Sequence, residues 1–430
     1  SIAINKGKIL AIGHDSHLPK AKTTFKANGR LVMPGVIDGH THLWEPGWTY
    51  REDFRTGTRG AAKGGITTVL EHPLSNPPTI DAKTFRGKRK LAEKKAVVDF
   101  GLDGGVIPGS ALNVRGMWQE RAVAVKMFMC YSVKEFPYVM DGDMYVALQQ
   151  IAKVNGLALI HAENDFILSY NEKRLKAAGR KDYLSHIEWR PDIAEIEASQ
   201  RAVFFLEQTG ARGIIVHESL PEVVDIVNQG KKRGVKVYSE SCPHYFYLTT
   251  DDLKKKGPWM KCAPPIRDKS KVARMREMLA AGYIDLVGSD HAPFMKEEKE
   301  KGEDDMWICP NGLPGNETML PLMLTGVNDG WVPIERVVQV FCENPARAYG
   351  IYPRKGAIQP GADADLVVVD MKKQVVVKGE EIEAKCHWSP FDRRKIKGVP
   401  VMTMVRGKPV YQDEEIVAKP GYGKFMPRLS

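Results

Sequence analysis

Apolar runs rich in valine and isoleucine recur along the chain, each bounded by glycine, proline or polar clusters. They fall at Leu31–Ile37, Ile66–Glu71, Val97–Leu102, Ala122–Met129, Leu157–His161, Gly213–His217, Val235–Ser239 and Ile284–Gly288. Near-continuous apolar runs are what parallel strands buried on both faces require. Helix-like segments separate them, among them Lys83–Lys95, Met144–Val154, Asp192–Gln208, Pro221–Arg233 and Lys269–Ala281. Eight strand-then-helix units predict an α/β fold, a (β/α)8 TIM barrel. The ends of the chain read differently. Ile2–Gly13 and Gly29–Val32 look like small strands. After a last helix near Val337–Gly350 come Asp365–Asp370, Gln374–Val377, Val399–Val405 and Lys408–Gln412, with turn residues between. The expected organisation is a small β-sandwich domain built from residues 1–33 and 352–430, with a C-terminal tail, around a catalytic barrel of residues 34–351.

Composition narrows the class without naming it. At 430 residues, 43% hydrophobic and 27% charged, the chain is of an ordinary globular kind. No stretch approaches the roughly 18 apolar residues of a membrane span, and SIAINKGKIL lacks a secretory apolar core. The chain begins at Ser1 inside an extended pattern, which leaves a native start upstream open. The net charge of +10 sits in separate clusters, Lys83 to Lys95, Lys173 to Lys181 and Lys231 to Lys236, which read as solvated helix faces. That spread argues against a nucleic-acid partner, which needs one basic strip with aromatic companions. Six scattered cysteines without a CxxC pair fit a reducing cytoplasm.

Chemistry enters at the strand ends. His40 and His42 lie two apart, so an extended backbone sends both imidazoles to one face. A lone HxH pair also occurs as ordinary core polarity. Here His161 follows the fifth run, His217 the sixth and Asp290 the eighth, while Lys126 lies within the fourth. In a barrel all these ends meet at one mouth. Lys126 is costly inside an apolar strand. Burial lowers its pKa, and a neutral amine can capture carbon dioxide as an anionic carbamate. A carbamate has two oxygens and can bridge two metals about 3.5–4 Å apart. One ion would take His40, His42, the carbamate and Asp290; the other would take the carbamate, His161 and His217. Such ligands suit zinc, though manganese, cobalt or iron could occupy the same set.

The stretches MPGVIDGHTHLWEPG, VKMFM, HAEN, SESCPHYFYLT, KCAPPIRD, GSDHAP and NPARAYGIYPRKGAIQPGADADLVVVD resemble the amidohydrolase superfamily, in its hydantoinase, dihydropyrimidinase, allantoinase and dihydroorotase branch. The resemblance implies a two-metal centre on the six residues above. It implies a metal-bridged hydroxide that attacks a ring amide carbon, with Asp290 as general base and then acid, giving an N-carbamoyl amino acid. It also implies substrate contacts at Tyr131, whose hydroxyl meets the developing oxyanion, and at Asn311, Ala263, Ser289 and Trp44, and a homotetramer. Trp44 stands where dihydroorotase-like relatives carry a carboxylate-binding arginine; an indole supplies no charge-assisted fork. The expected activity is therefore hydantoinase or dihydropyrimidinase type, with allantoinase as the alternative and a non-catalytic scaffold as the alternative of another class. Trp44, His72 and Trp307 are further candidates for the pocket wall. Glu218, after His217, departs from the small apolar residue usual in relatives.

Overall fold

The computed structural model describes residues 1–429. Eight parallel strands, one of them in two segments, close a barrel. Strands β4 (Val36–Thr41), β5 (Ile66–Glu71) and β6 (Asp99–Leu102) pair in order. Strands β7 (Gly104–Gly105), β8 (Val125–Phe128), β9 (Leu157–His161), β10 (Arg212–Ile215), β11 (Val237–Ser241) and β12 (Leu286–Val287) continue the ring. β6 and β7 are one barrel strand interrupted at Asp103. A parallel bridge between Thr41 and His291 closes the circle, and the His42 N–H donates to the His291 carbonyl at 2.8 Å.

The remaining strands form the β-sandwich. β3 (Leu31–Pro34), β13 (Leu366–Val376), β14 (Lys395–Val405), β15 (Lys408–Gln412) and β16 (Glu415–Ile416) make an antiparallel sheet. β1 (Ile2–Asn5) and β2 (Lys8–Ile12) form a hairpin that bonds to the chain near Ala362 through Ile9.

The first apolar run, expected as one strand, divides between the two parts. Leu31–Pro34 pairs with β13, and the chain enters the barrel only at Val36. Gly35 makes the join. A Cβ there would lie 2.1 Å from Thr67 Oγ1, and its N–H donates to the Asp365 carbonyl at 2.8 Å. His40 consequently lies within the strand. The seventh strand begins two residues later than the valine pattern suggests, which puts Glu240 inside it. The two apolar runs after Asp365 are one long strand with an irregular register between Asp370 and Gln374. The last helix carries a π turn at Gln339–Glu343. The helix over Lys269–Ala281 matches its pattern to the residue.

One charge cluster joins barrel and sandwich. Lys355, almost wholly buried, donates to Asp99 of β6 at 2.6 Å and also to Asp365, and lies 3.2 Å from Asp363. Arg406 adds a second pair to Asp99. The helix Ala82–Lys95 buries Phe85 and Ala92 and leaves its basic residues exposed or half-buried except Lys88, which turns inward to Glu71 at 2.9 Å. All six cysteines are buried thiols. Among the described residues no helix is long and apolar enough to cross a membrane.

Removing one partner of a buried ionic cluster strands the others. Lys355→Met is expected to lower the unfolding free energy in denaturant titration by about 3–5 kcal/mol; a loss below about 1 kcal/mol would show that the cluster does not hold the two parts together.

Candidate active site

The C-terminal strand ends bring the expected ligand residues onto one floor. His40 Nδ1 lies 2.7 Å from Glu240 Oε1, both side chains fully buried. An N–H donated there leaves the lone pair on Nε2, which has no hydrogen-bond partner. That Nε2 stands 3.2 Å from Asp290 Oδ1, and His42 Nε2 stands 3.4 Å from the same oxygen. Three donor groups thus face one point.

The second group is His161 and His217. His161 Nε2 lies 2.8 Å from Glu163 Oε2, and Glu163 is in turn held by Arg190. The opposite nitrogen, Nδ1, faces His217 Nε2 at 2.9 Å. Two imidazole lone pairs at that separation repel unless a proton or a cation lies between them. Burial pulls the pKa of His40 and His217 well below the usual range, and His161 shifts the same way for the same reason. The rings are therefore neutral, which is the ligating form.

Lys126 of β8 is fully buried, and its Nζ has no hydrogen-bond partner. Burial lowers its pKa to about 8, against the opposing charges of Asp290, Glu240 and Asp103. The unpartnered atoms His40 Nε2, His42 Nδ1, His217 Nδ1 and Lys126 Nζ would be expensive in an apolar interior. Histidine and carboxylate groups gathered this closely could hold a metal ion. Trp44, His217 and Asp290 also hold left-handed backbone, with φ of 55°, 45° and 47°. Such strain in non-glycine residues is kept where the surroundings fix it, commonly at functional sites.

A cavity of about 450 Å³ opens above this floor. Trp44 forms part of its wall, and its indole N–H is taken by the Pro293 carbonyl at 2.9 Å. Tyr131, 56% exposed, stands at the rim. Ala263, Asn311 and Trp307 also line it, and Asn311 Oδ1 is buried without a partner. Two expected pocket residues are elsewhere. Ser289 turns away: its hydroxyl donates to Asp38 at 2.5 Å and its N–H to the same carboxylate at 2.9 Å, so its side chain braces β4 instead of meeting a ligand. His72 is fully buried behind the ligands, stacked on His40 with ring centroids 4.0 Å apart.

Residues 31–410 match the model of the amidohydrolase family. The chain belongs to that family. A protein named L-hydantoinase from Paenarthrobacter aurescens is 40% identical, covering 99% of this chain and 94% of the relative. A dihydroorotase from Methanosarcina mazei is 36% identical (99% and 93% covered) and an allantoinase from Deinococcus radiodurans 34% (99% and 95% covered). The solved structure of L-hydantoinase (dihydropyrimidinase) from Arthrobacter aurescens superposes with a TM-score of 0.98 at 40% identity, covering 99% of this chain and 95% of that one.

Several supports of this amidohydrolase site escaped the sequence analysis. Glu240 and Glu163 orient histidines; Glu163 could have been noticed, since it sits two residues beyond His161. Lys261 and Lys299 are buried without a carboxylate partner and hold backbone instead. Lys261 donates to the Met306 and Cys309 carbonyls at 2.5 and 2.6 Å, and Lys299 to those of Lys261, Pro310 and Gly312 at 3.1 to 3.2 Å. They fix the loop that carries Asn311 into the cavity. Glu218 accepts from Ser239 Oγ at 2.5 Å and ties the end of β10 to β11; burial pushes its carboxyl well above the usual range.

Losing an outer carboxylate typically weakens a metal site 10–100-fold. Glu240→Gln is expected to lower zinc affinity in chelator competition by about that factor. Wild-type affinity in the variant would show that His40 is oriented by packing alone.

Proposed function

We propose that this amidohydrolase opens the ring amide of a cyclic ureide, of hydantoin or dihydropyrimidine type, to an N-carbamoyl amino acid. The observation that carries the reading is the convergence of His40, His42 and Asp290 beside His161 and His217, with the buried Lys126, on the floor of one cavity. The 40% identity to a protein named L-hydantoinase supports the hydantoin class, and Trp44 in place of a carboxylate-binding arginine weighs against dihydroorotate. Allantoin is a hydantoin with a ureido arm, and relatives named allantoinase cover the chain equally well; allantoinase is the second reading. Retention of all six ligand residues weighs against a non-catalytic scaffold.

In this reading Lys126 reacts first. Its neutral amine adds through the nitrogen lone pair to the carbon of carbon dioxide, one C=O pair moves onto oxygen, and an N–H proton leaves to water. His40, His42, the carbamate and Asp290 would hold one divalent ion, and the carbamate, His161 and His217 a second, zinc by ligand chemistry. Such a pair would polarise the scissile carbonyl and lower the pKa of water. Asp290 takes the proton of the attacking water on its carboxylate and returns it to the leaving ring nitrogen. Tyr131 donates its phenolic hydrogen to the oxygen that gains charge. Asn311 and the backbone at Ala263 meet the ring imide, and Trp44 packs as a wall. We also place the domain division at residues 33/34 and 351/352, supported by the change of sheet at Gly35. A homotetramer is proposed from the resemblance, and a cytoplasmic setting from the six unpaired thiols.

A panel of hydantoin, 5-substituted hydantoins of both hands, allantoin, dihydrouracil and dihydroorotate tests the substrate class. Fastest ring opening on the hydantoins is expected; turnover confined to dihydroorotate would overturn the reading. Elemental analysis is expected to find close to two ions per chain, whereas one firmly held ion with Lys126 intact would remove the bridging carbamate. Asp290→Asn is expected to keep most of the metal and lose turnover by about 10²–10⁴-fold; near-normal turnover would place the base elsewhere.

A further inference from the structure

Tyr131 is the most exposed of the residues given a part in the reaction above. It stands near the start of the loop that leaves β8 and leads to the helix Asp141–Lys153. Residues 131–135 of that loop all line the cavity. The loop is closed at its base: the Met129 N–H donates to the His161 carbonyl at 3.0 Å, and the Val139 N–H to the Phe128 carbonyl at 2.9 Å. Its middle is anchored by Phe136, buried against Phe128 with ring centroids 5.7 Å apart. Neither anchor reaches Tyr131. A donor for a developing charge has to be in place before the charge appears, and a side chain half in water gains little order from packing.

Asp165 supplies the missing tie. The Tyr131 N–H donates to Asp165 Oδ1 at 2.9 Å. Ser169 Oγ, one turn along the same helix, donates to Oδ2 at 3.2 Å, so each carboxylate oxygen has a fixed partner. An N–H donated to a carboxylate is among the stronger hydrogen bonds. Asp165 opens the helix Asp165–Ala177, and that start is itself held. Asn164 Oδ1 accepts from the Ile167 N–H at 3.2 Å, and the Asn164 N–H donates to the Ala194 carbonyl at 2.9 Å. The same carboxylate acts on Tyr138 near the far end of the loop, where burial and then Asp165 raise the pKa of the phenol. Asp165 lies four residues beyond His161. One short segment therefore joins a candidate ligand on the floor to the backbone of Tyr131 at the rim.

We propose that Asp165 is a positioning residue for the reaction. Its carboxylate holds the Tyr131 backbone so that the phenol is ready where the ring carbonyl oxygen gains charge, in fixed relation to the floor of the cavity. The proposal rests on the reading of Tyr131 as oxyanion donor and adds to it a residue outside both the ligand set and the pocket lining.

The test uses the full chain loaded with zinc and the hydantoin turned over fastest in the panel above. Tyr131→Phe is expected to lower kcat about 10²-fold. Asp165→Ala is expected to lower kcat about tenfold while KM moves less than about twofold, because the tie orders the donor and leaves the ring contacts alone. Asp165→Asn keeps an oxygen that accepts the N–H and is expected to stay within about threefold of wild type. Asp165→Ala added to Tyr131→Phe is expected to cost nothing further, since the tie has no effect once the hydroxyl is gone. Elemental analysis is expected to find unchanged zinc in each variant. Wild-type kcat in Asp165→Ala overturns the proposal. A further loss of about tenfold in the double variant, or a loss of zinc, also overturns it, because the effect would then lie at His161. Unaltered turnover in Tyr131→Phe removes the tyrosine reading and the tie's purpose with it; a slow Tyr131→Phe beside a normal Asp165→Ala removes the tie alone. Amide hydrogen exchange needs no substrate. The Tyr131 N–H is expected to exchange slowly in wild type and about tenfold faster in Asp165→Ala. Unprotected exchange in wild type overturns the proposal even should Asp165→Ala not fold.

Discussion

The hydrogen bond between His40 Nδ1 and Glu240 fixes the arrangement on which the rest of the site depends. It commits the proton to one ring nitrogen and turns the other toward Asp290. Glu163 does the same for His161. Without these outer carboxylates, buried imidazoles would be free to satisfy one another or to rotate away. With them, lone pairs are held facing each other at a cost that the fold has to offset elsewhere. The offset lies in the barrel walls, where strands buried on both faces remove large apolar area from water.

The same logic explains why the cavity is shaped by charges that never touch a ligand. Arg190 holds Glu163, and Arg267 bonds the Arg190 carbonyl at 3.0 Å and Glu195 at 2.9 Å. Lys261 and Lys299 present the Asn311 loop by donating to backbone carbonyls. Arg51 lines the cavity, but its charge is matched by Glu298 at 2.5 Å and spread over the Phe294 ring at 4.5 Å. Both arginines that line the pocket are thus already paired, and the charged side chains of Lys134 and Glu135 stand among its aromatic and amide lining.

Much of the barrel was legible in the chain because its strands are apolar on both faces and its helices have ordinary period. The pattern was less informative where a strand is short or polar. β12 is only two residues long, and β11 is displaced because Ser239, Glu240 and Ser241 are polar residues buried inside a strand. Polarity normally signals a strand end; here buried partners satisfy it. Pro34 and Gly35 marked a break, yet local pattern could not say that the two halves join different sheets, since that depends on β13, more than 300 residues away.

The sequence by itself determined the fold class and the family, and it singled out six candidate ligand residues, because strand ends of a barrel must meet at one mouth whatever the details. Only the tertiary structure decided which nitrogen of each histidine faces inward, that Ser289 braces Asp38 instead of lining the pocket, and that His72 stacks on His40. Those outcomes turn on distances of a few tenths of an ångström between residues far apart in the chain. Spacing along one strand does not encode them.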